Sequence, residues 1–427
     1  MKITFSNFQQ TLVSIVDMAK VNKIAVAVSG GADSTCLMLL LDKFCRLNDI
    51  GLVAITVDHN LRKESTQEAK ETSKYMKKCG IRHIILTWEH STIKNNLQEK
   101  ARDARYKLLC DYCIKNKIRY LFIAHHYDDQ AETVMLRILR GSGIDGVAGI
   151  DARSEIYGIT TVRPLLNYKK SQIIDFLKAE KATWFEDRSN LNSKFSRVKI
   201  RKLLQQLDYN NNLIDRLNLL AKNANRVKNF LYSYTDKIFK KYCVWGNFGH
   251  ISIKNSNFLA LDEEIKLRII NKIIKYIHND PFIYPARLNS LKLFLANLQC
   301  QKKLTLGKCK IILHKEIIYF YKEPQFVEPT KRLSKGENIW DKRYKININA
   351  DNFYITRLTK KIWSQVRQKE YIHQTPGEII FSTPVLLCTG NNQYYWLFSN
   401  FSSFQKNSNT KISITHIPSN SCFEMSI

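Results

Sequence analysis

The stretch Lys23-Ile24-Ala25-Val26-Ala27-Val28-Ser29-Gly30-Gly31-Ala32-Asp33-Ser34 decides the fold. Its apolar run leads into paired glycines, and a helix carrying Cys36 to Leu41 opens at Asp33-Ser34. Paired glycines let the backbone reach positive φ and approach a ligand closely. The free N–H groups and positive dipole end of the following helix then face a negative charge. Strand, Gly-Gly turn and helix together predict an anion-binding turn at the carboxyl end of a strand. A Walker-type loop would need Gly-x-x-x-x-Gly-Lys-Ser/Thr, and the sequence contains no such run.

Working outward, short apolar strands alternate with helical periodicity up to about residue 150. The strand candidates are Lys23–Val28, Leu52–Asp58, His83–Thr87 and Tyr120–Ala124; the helices are Ser34–Leu47, Glu64–Cys79, Leu97–Asn116 and Asp129–Arg140. Such alternation predicts an α/β domain with a parallel sheet and right-handed crossovers. Ligands of such sheets sit at the carboxyl ends of the strands. Three polar motifs, Ser29–Ser34, Asp58–Arg62 and His125–Glu132, each follow a strand, so one crevice can collect them.

Residues 163–204 add Arg163-Pro164-Leu165-Leu166, a helix from about Lys169 to Glu180, and a basic stretch. From Leu213 the pattern is helical, through Leu217 and Leu220 and later Ile265, Ile269, Ile273 and Ile277. A strand pair is expected in Leu304–Tyr321. Lys322–Asn338, with Pro324, Pro329, Gly336 and many charges, reads as a linker. The expected organisation is a catalytic domain at 1–210, a helical or α+β domain at 211–325, and a small α+β or β-rich module at 339–427.

Lys plus Arg number 67 against 38 Asp plus Glu in 427 residues, a formal charge of +29 that favours a polyanionic partner, most simply nucleic acid. Abundant Lys, Asn and Ile also suit compositional drift, which does not explain a local basic cluster. Ten cysteines without a disulfide-like framework suit a reducing compartment. With no signal-like N-terminus and no apolar run of membrane length, the expected location is the cytoplasm, away from membranes.

The candidate chemistry lies in five places. Ser29 and Ser34 can donate hydroxyl bonds to phosphate, whereas Asp33 beside an anion calls for a bridging cation such as Mg²⁺. His125-His126-Tyr127-Asp128-Asp129-Gln130-Ala131-Glu132 packs two histidines and three carboxylates into one strand–helix junction, suggesting a metal or amine site. Any one of these acids could instead serve the helix start, and Asp128 or Asp129 could be an N-cap. Arg102, Arg105 and Tyr106 share one helical side, where surface ion pairs compete with a role at a phosphate or pyrimidine edge. Cys110 and Cys113 continue an apolar helix face, and no second Cys-x-x-Cys completes a four-thiolate site, so helix packing is expected. Lys194, Arg197, Lys199, Arg201 and Lys202 form a basic arm suited to RNA backbone, or a merely solvated face.

Together these segments resemble the tRNA(Ile)-lysidine synthase family of PP-loop ATP pyrophosphatases. The resemblance runs through Ser29–Ser34, Val57–Arg62, Gln98–Tyr106, His125–Gly146, Arg163–Leu166 and Glu186-Asp187-Arg188-Ser189-Asn190, covering about residues 20 to 205. Tyr284–Phe294, Leu304–Tyr321 and Gly336–Asp341 resemble its C-terminal regions more faintly. The family pattern Arg-Asn-x-Ile-Arg is Arg197-Val198-Lys199-Ile200-Arg201 here, so Val198 replaces an amide.

The resemblance implies an adenine nucleotide α-hydrolase-like fold and ATP-dependent adenylation of C2 of the wobble cytidine in a CAU anticodon of tRNA(Ile). Attack by free lysine then forms lysidine and releases AMP. It further implies that Ser29-Gly30-Gly31-Ala32-Asp33-Ser34 holds the ATP phosphates and that Asp33 and Asp129 share Mg²⁺. By the same resemblance, Arg105 and His126 orient the cytidine, and Asp129 and Glu132 receive the lysine amine. Lys194, Arg197, Lys199 and Arg201 contact tRNA, and a homodimer is suggested. The competing readings are a PP-loop tRNA thiolation enzyme and a non-catalytic RNA-binding protein that retains the nucleotide fold.

Overall fold

The computed structural model describes residues 2–60, 63–90, 97–185, 196–207, 212–246, 248–279, 286–298, 300, 303–366, 376–390, 393–396, 412–417 and 423–425. The chain divides into two compact units, Met1–Asn229 and Phe230–Ile427.

The first unit opens with α1 (Phe5–Ile15), then alternates β1 (Lys23–Ala27), α2 (Ala32–Leu47), β2 (Gly51–Asp58), α3 (Lys63–Lys78), β3 (Arg82–Thr87), α4 (Leu97–Lys115), β4 (Tyr120–Phe122) and α5 (Tyr127–Leu139). A short α6 (Ile144–Val147), β5 (Arg153–Ile156), β6 (Ile159–Val162), α7 (Lys170–Ala179) and α8 (Ser196–Leu207) follow. The strand order is β3-β2-β1-β4-β6-β5, parallel throughout except for the β5–β6 hairpin.

Strand β1 is apolar after Lys23 because both of its faces are covered, as parallel sheets require. Ile24 and Val26 pack with Leu37 and Leu41 of α2 and Ile173 and Leu177 of α7. Ala25 faces the other way, toward Leu109, Cys110 and Cys113 of α4. The basic helix α8 turns Ile200 and Leu204 onto Ala131 and Val134 of α5. Val198, the departure from the family pattern, is likewise buried.

The division between the units falls inside the long helix α9 (Leu213–Tyr242). In the second unit, β7 (Cys243–Trp245), β8 (Ile251–Lys254), β9 (Lys303–Leu306), β10 (Cys309–His314) and β11 (Ile317–Lys322) form an antiparallel sheet in the order β7-β8-β11-β10-β9. Helices α10 (Asn255–Leu259), α11 (Glu263–His278) and α12 (Leu288–Asn297) accompany it, and α11 buries Ile265, Ile269, Ile273 and Ile277 as its spacing predicts. The expected strand pair in 304–321 is a three-stranded meander. Gly307-Lys308 and Lys315-Glu316 all have positive φ and make tight two-residue turns between its strands.

The stretch 322–338, expected as a linker, is folded. Lys322 ends β11 and is buried with its ammonium 2.5 Å from Asp341, while Val327 and Leu333 are core residues. Beyond it, β12 (Lys331–Arg332), β13 (Gly336–Trp340), β14 (Tyr344–Ile348), β15 (Phe353–Arg357), α13 (Lys360–Val366), β16 (Pro384–Cys388), β17 (Gln393–Trp396), β18 (Ile412–His416) and β19 (Phe423–Met425) complete two four-stranded antiparallel sheets. Among the described residues the C-terminal region is thus β-rich, with α13 a short helix. Among the described residues no helix is long and apolar enough to cross a membrane.

Candidate active site

The Gly-Gly turn is built as its sequence dictates. Gly30 sits at φ +83° and Gly31 is the N-cap of α2 without a side-chain cap, so the helix's first N–H groups carry no capping oxygen. Ser34 closes the turn from within: its Oγ accepts the Ser29 N–H at 3.1 Å and donates to the Gly31 carbonyl at 3.0 Å. The Ser29 and Ser34 hydroxyls lie 3.3 Å apart. Two hydroxyls and a bare helix terminus therefore converge on one anion-sized position.

The two glycines differ in what they tolerate. A Cβ on Gly30 would stand 2.5 Å from Thr72 Oγ1 and 3.0 Å from the Phe185 ring, in a conformation L side chains rarely adopt. One on Gly31 meets nothing closer than Ser29 Oγ at 3.6 Å. Gly30→Ala is expected to lower thermal stability by about 1–3 kcal/mol and to cut ATP-dependent turnover at least about a hundredfold. Gly31→Ala should melt with the wild type. Equal melting of all three proteins would refute the strain at Gly30.

The turn forms one end of a crevice of about 380 Å³ at the carboxyl ends of β1, β2 and β4. Ser29, Asp33 and Ser34 line the polar end, while Val28, Ile55, Val57, Leu109 and Ile123 supply an apolar floor. Arg105, Tyr106, His59 and His125 line it as well. The Arg102 and Arg105 guanidinium carbons lie 5.3 and 5.4 Å from the Tyr106 ring centre. Burial alone would raise the pKa of the Tyr106 phenol, but Arg102, Arg105 and Arg163 outweigh it and hold the value below normal. His59 is kept neutral by burial and by Arg105. The Arg105 side of the crevice is thus electropositive, while Asp33 and Glu68 line it with acids.

Arg163 is buried and donates from Nε to His125 Nδ1 at 3.2 Å, and from Nη1 to the Asp151 carbonyl and Ser154 Oγ, each at 2.9 Å. It fixes the His125 ring from behind. Asp58 performs a similar service after β2, accepting from Asn60 N–H, Ser65 Oγ and Thr66 Oγ1. Leu61 and Arg62, at the end of that motif, lie outside the described residues.

His126 is the hub of the second motif. Its Nδ1 accepts the Asp128 N–H at 3.2 Å, while Asp129 Oδ2 accepts the His126 N–H at 3.0 Å, a capping box that starts α5. The Nε2 atom lies 3.5 Å from Asp129 Oδ2 and 3.7 Å from Asp33 Oδ2. Burial disfavours its imidazolium, but Asp128, Asp129 and Asp33 outweigh burial and raise its pKa. Burial opposes the charge on Asp128 as well; His126 and the Lys170 N–H, at 2.9 Å, hold its carboxyl below the usual range.

The cation beside Asp33 is Lys170, whose Nζ lies 2.6 Å from Asp33 Oδ1. Of the two acids offered as an N-cap neither is one: the N-cap is His126, with Asp129 completing its capping box. From the sequence alone Arg163 had no partner and Lys170 no role. One signal was available: Lys169 and Lys170 open α7, where the helix dipole disfavours positive charge.

Glu132 is buried and held by Arg201, whose Nε donates to Oε1 at 2.6 Å and Nη2 to Oε2 at 3.4 Å. The structure therefore pairs a residue expected to receive the lysine amine with one expected on the tRNA backbone. Lys199 and Lys202 are exposed on α8. Lys194, the side chain of Arg197, and the loop Glu186–Asn190 lie outside the described residues. Arg140-Gly141-Ser142-Gly143 ends α5, with Gly141 at φ +66°.

Cys110 and Cys113 are fully buried on α4, and burial pushes both thiols up to about 12. They pack the helix, as expected, and supply no thiolate at neutral pH. Among the described residues no group of three or more His, Cys, Asp or Glu is arranged to hold a metal ion.

The PP-loop domain family model matches residues 4–207. The tRNA(Ile)-lysidine synthase of Wolbachia pipientis wMel is 40% identical over 334 residues, covering 77% of each chain. That of Wolbachia sp. subsp. Brugia malayi (strain TRS) is 35% identical over 86% of this chain and 87% of its own. The Ruegeria pomeroyi enzyme of the same name is 34% identical over 75% of this chain and 76% of its own. An anion turn, a crevice with Arg105 on its wall and identity of this extent agree: the chain belongs to the tRNA(Ile)-lysidine synthase family.

Proposed function

We propose that this chain converts the wobble cytidine of a CAU-anticodon tRNA(Ile) to lysidine, using ATP and free lysine. The observation that carries the reading is the meeting, in one crevice, of the phosphate-sized turn at Ser29–Ser34, an apolar floor wide enough for a base, and Arg105. In the first step the cytosine O2 attacks the α-phosphorus of ATP, and pyrophosphate leaves. In the second, the lysine Nζ attacks C2, the C2–O bond breaks, and AMP departs with the oxygen. Adenylation turns a poor leaving group into a good one. Lysidine pairs with A, so decoding moves from AUG to AUA.

In this reading Ser29, Ser34 and the α2 N-terminus hold the phosphates, and Arg105 faces the negative charge that develops at the α-phosphorus. We assign Asp33 to sharing Mg²⁺ with nucleotide phosphates, a mode that needs only one or two carboxylates. Mg²⁺ would supply neutralisation of phosphate charge. Asp129 already serves the capping box, so we give it the task of orienting His126 and attracting the incoming ammonium, with Glu132 behind it. The lysine must attack as a neutral amine, so this acidic cluster also supplies the proton acceptor. Lys194, Arg197 and Lys199 are assigned to tRNA phosphates, and Arg201 to Glu132 first. The segments 211–325 and 339–427 are assigned to the body of the tRNA, in a cytoplasmic enzyme that works as a homodimer.

The test is incorporation of labelled lysine into CAU-anticodon tRNA(Ile), with ATP and Mg²⁺ present and tRNA(Met) as control. Selective incorporation with release of AMP and pyrophosphate is expected. Adenylated tRNA that never accepts lysine would keep the first step and overturn the nucleophile.

A further inference from the structure

The C-terminal part of α9, Phe230 to Tyr242, turns Leu231, Ile238, Phe239 and Tyr242 onto the core of the second unit. Its outer face does the opposite of what a solvated helix face does. Phe230 is 66% exposed and Tyr234 40%, with their rings within 10° of parallel and 6.0 Å apart. Lys237 and Lys241 continue the same line, so positions i, i+4, i+7 and i+11 form a single stripe about 16 Å long. Lys240 stands beside it, and all three lysines are exposed. Asp236, the one acid of the segment, is engaged by Lys272. Among the described residues no carboxylate lies within ion-pair reach of Lys237, Lys240 or Lys241.

Exposed aromatic rings ask for a flat apolar partner, and the lysines ask for an anion. A second copy of this chain, joined through the same face, would set three lysines against three lysines. A folded acidic protein would satisfy the lysines and offer nothing specific to the rings. A nucleotide carries both complements in one unit: a base with a π face and a phosphate one bond chain away.

We propose that this stripe binds an unpaired stretch of RNA, with a base on Phe230 and Tyr234 and its neighbouring phosphates at Lys237, Lys240 and Lys241. Duplex RNA keeps its bases stacked inside, so it meets the lysines and not the rings. The proposal rests on the nucleic-acid part of the function proposed above and adds a contact outside the crevice.

The test uses the full chain, a fluorescent oligoadenylate and a duplex RNA of equal length, each titrated over a range of salt. Phe230→Ala with Tyr234→Ala is expected to weaken oligoadenylate binding about tenfold and duplex binding less than twofold, with an unchanged salt slope. Lys237→Ala with Lys241→Ala should weaken both and flatten the slope by about 1.5. Phe230→Trp should retain oligoadenylate binding, showing that the rings act through their faces. Unchanged oligoadenylate affinity in the aromatic variant, or equal loss on duplex, overturns the stacking. A wild-type dimer that the aromatic variant abolishes overturns RNA as the occupant. Lysine incorporation by the wild type is measured alongside. Its absence with stacking intact would sink the proposed function alone, and the reverse outcome would sink the stripe alone.

Discussion

Asp33→Ala is expected to reduce lysine incorporation about a thousandfold or more while tRNA affinity stays within about twofold of wild type. The carboxylate stands at the first turn of α2, 2.6 Å from the Lys170 ammonium and 3.7 Å from His126 Nε2. Removing it frees a lysine to sit on the phosphate position, strips His126 of one of three acids, and leaves any phosphate-bound cation without a protein ligand. Losses of about a hundred- to a thousandfold follow removal of a single well-placed electrostatic partner, and here three partners are disturbed at once. The fold should hold, because Asp33 is partly exposed and its gain from the helix dipole is worth only about 0.3–1 kcal/mol. Asp33→Asn separates charge from shape: it should be as inactive as the alanine variant. Turnover within tenfold of wild type in either protein would remove Asp33 from the chemistry.

That prediction depends on Lys170, which shows where sequence reading stops. The strands and helices expected between residues 23 and 140 lie within a residue or two of those found, because two-sided burial writes continuous apolar runs and one-sided burial writes helical spacing, whereas α1, the β5–β6 hairpin and α8 were not expected. The turn at Gly30-Gly31 was legible because positive φ beside a helix start has few other uses. Lys170 lies 137 positions from Asp33, and no local periodicity encodes which lysine α7 carries back to α2. What the sequence did contain was a rule violation: two lysines at a helix N-terminus, where they are electrostatically misplaced unless an acid meets them.

The stretch 322–338 departs from the expected linker for a related reason. Charge, proline and glycine in 322–338 look like a solvated linker, yet Lys322, Asp341 and Arg343 are buried together. Arg343 donates to Asp341 at 2.5 Å and to the Ser382 carbonyl at 2.8 Å. Composition counts charges without showing which ones are paired inside. The turn at Lys315-Glu316 hid a strand boundary likewise, since neither residue advertises the positive φ it adopts.

Buried histidines are expected to make the second unit acid-labile, the other large effect. His250 and His278 are pushed down to about 4 and His416 to about 3. Burial is the first cause in each case, with Lys322 adding to it at His278 and Arg343 at His416. Their folded values lie below the unfolded value of about 6.5, so the unfolded chain takes up protons first. The stability they contribute is complete above pH 6.5 and drains away as pH falls from about 6.5 toward 4. Asp341, depressed by Arg343 and Lys322 against the pull of burial, extends the loss below the ordinary carboxylate range. At about 1.4 kcal/mol per tenfold change in proton affinity, three such histidines rival the roughly 5–15 kcal/mol by which a domain is ordinarily stable. In the first unit burial pushes His83 down to about 4 and also lowers His59, and both act in the same sense, whereas His126, with its raised value, completes its gain once the pH has fallen to about 6.5 and loses nothing below it. Hydrogen exchange, corrected for intrinsic rate, should therefore show β8, β10, β11 and β14 losing protection between about pH 7 and pH 5, ahead of β1, β2 and β4. His416→Phe, which keeps a ring against Trp245 and Tyr344, should move the second unit's acid midpoint lower. Protection of the second unit that stays flat down to about pH 4.5 would mean these histidines carry their protons in the folded chain.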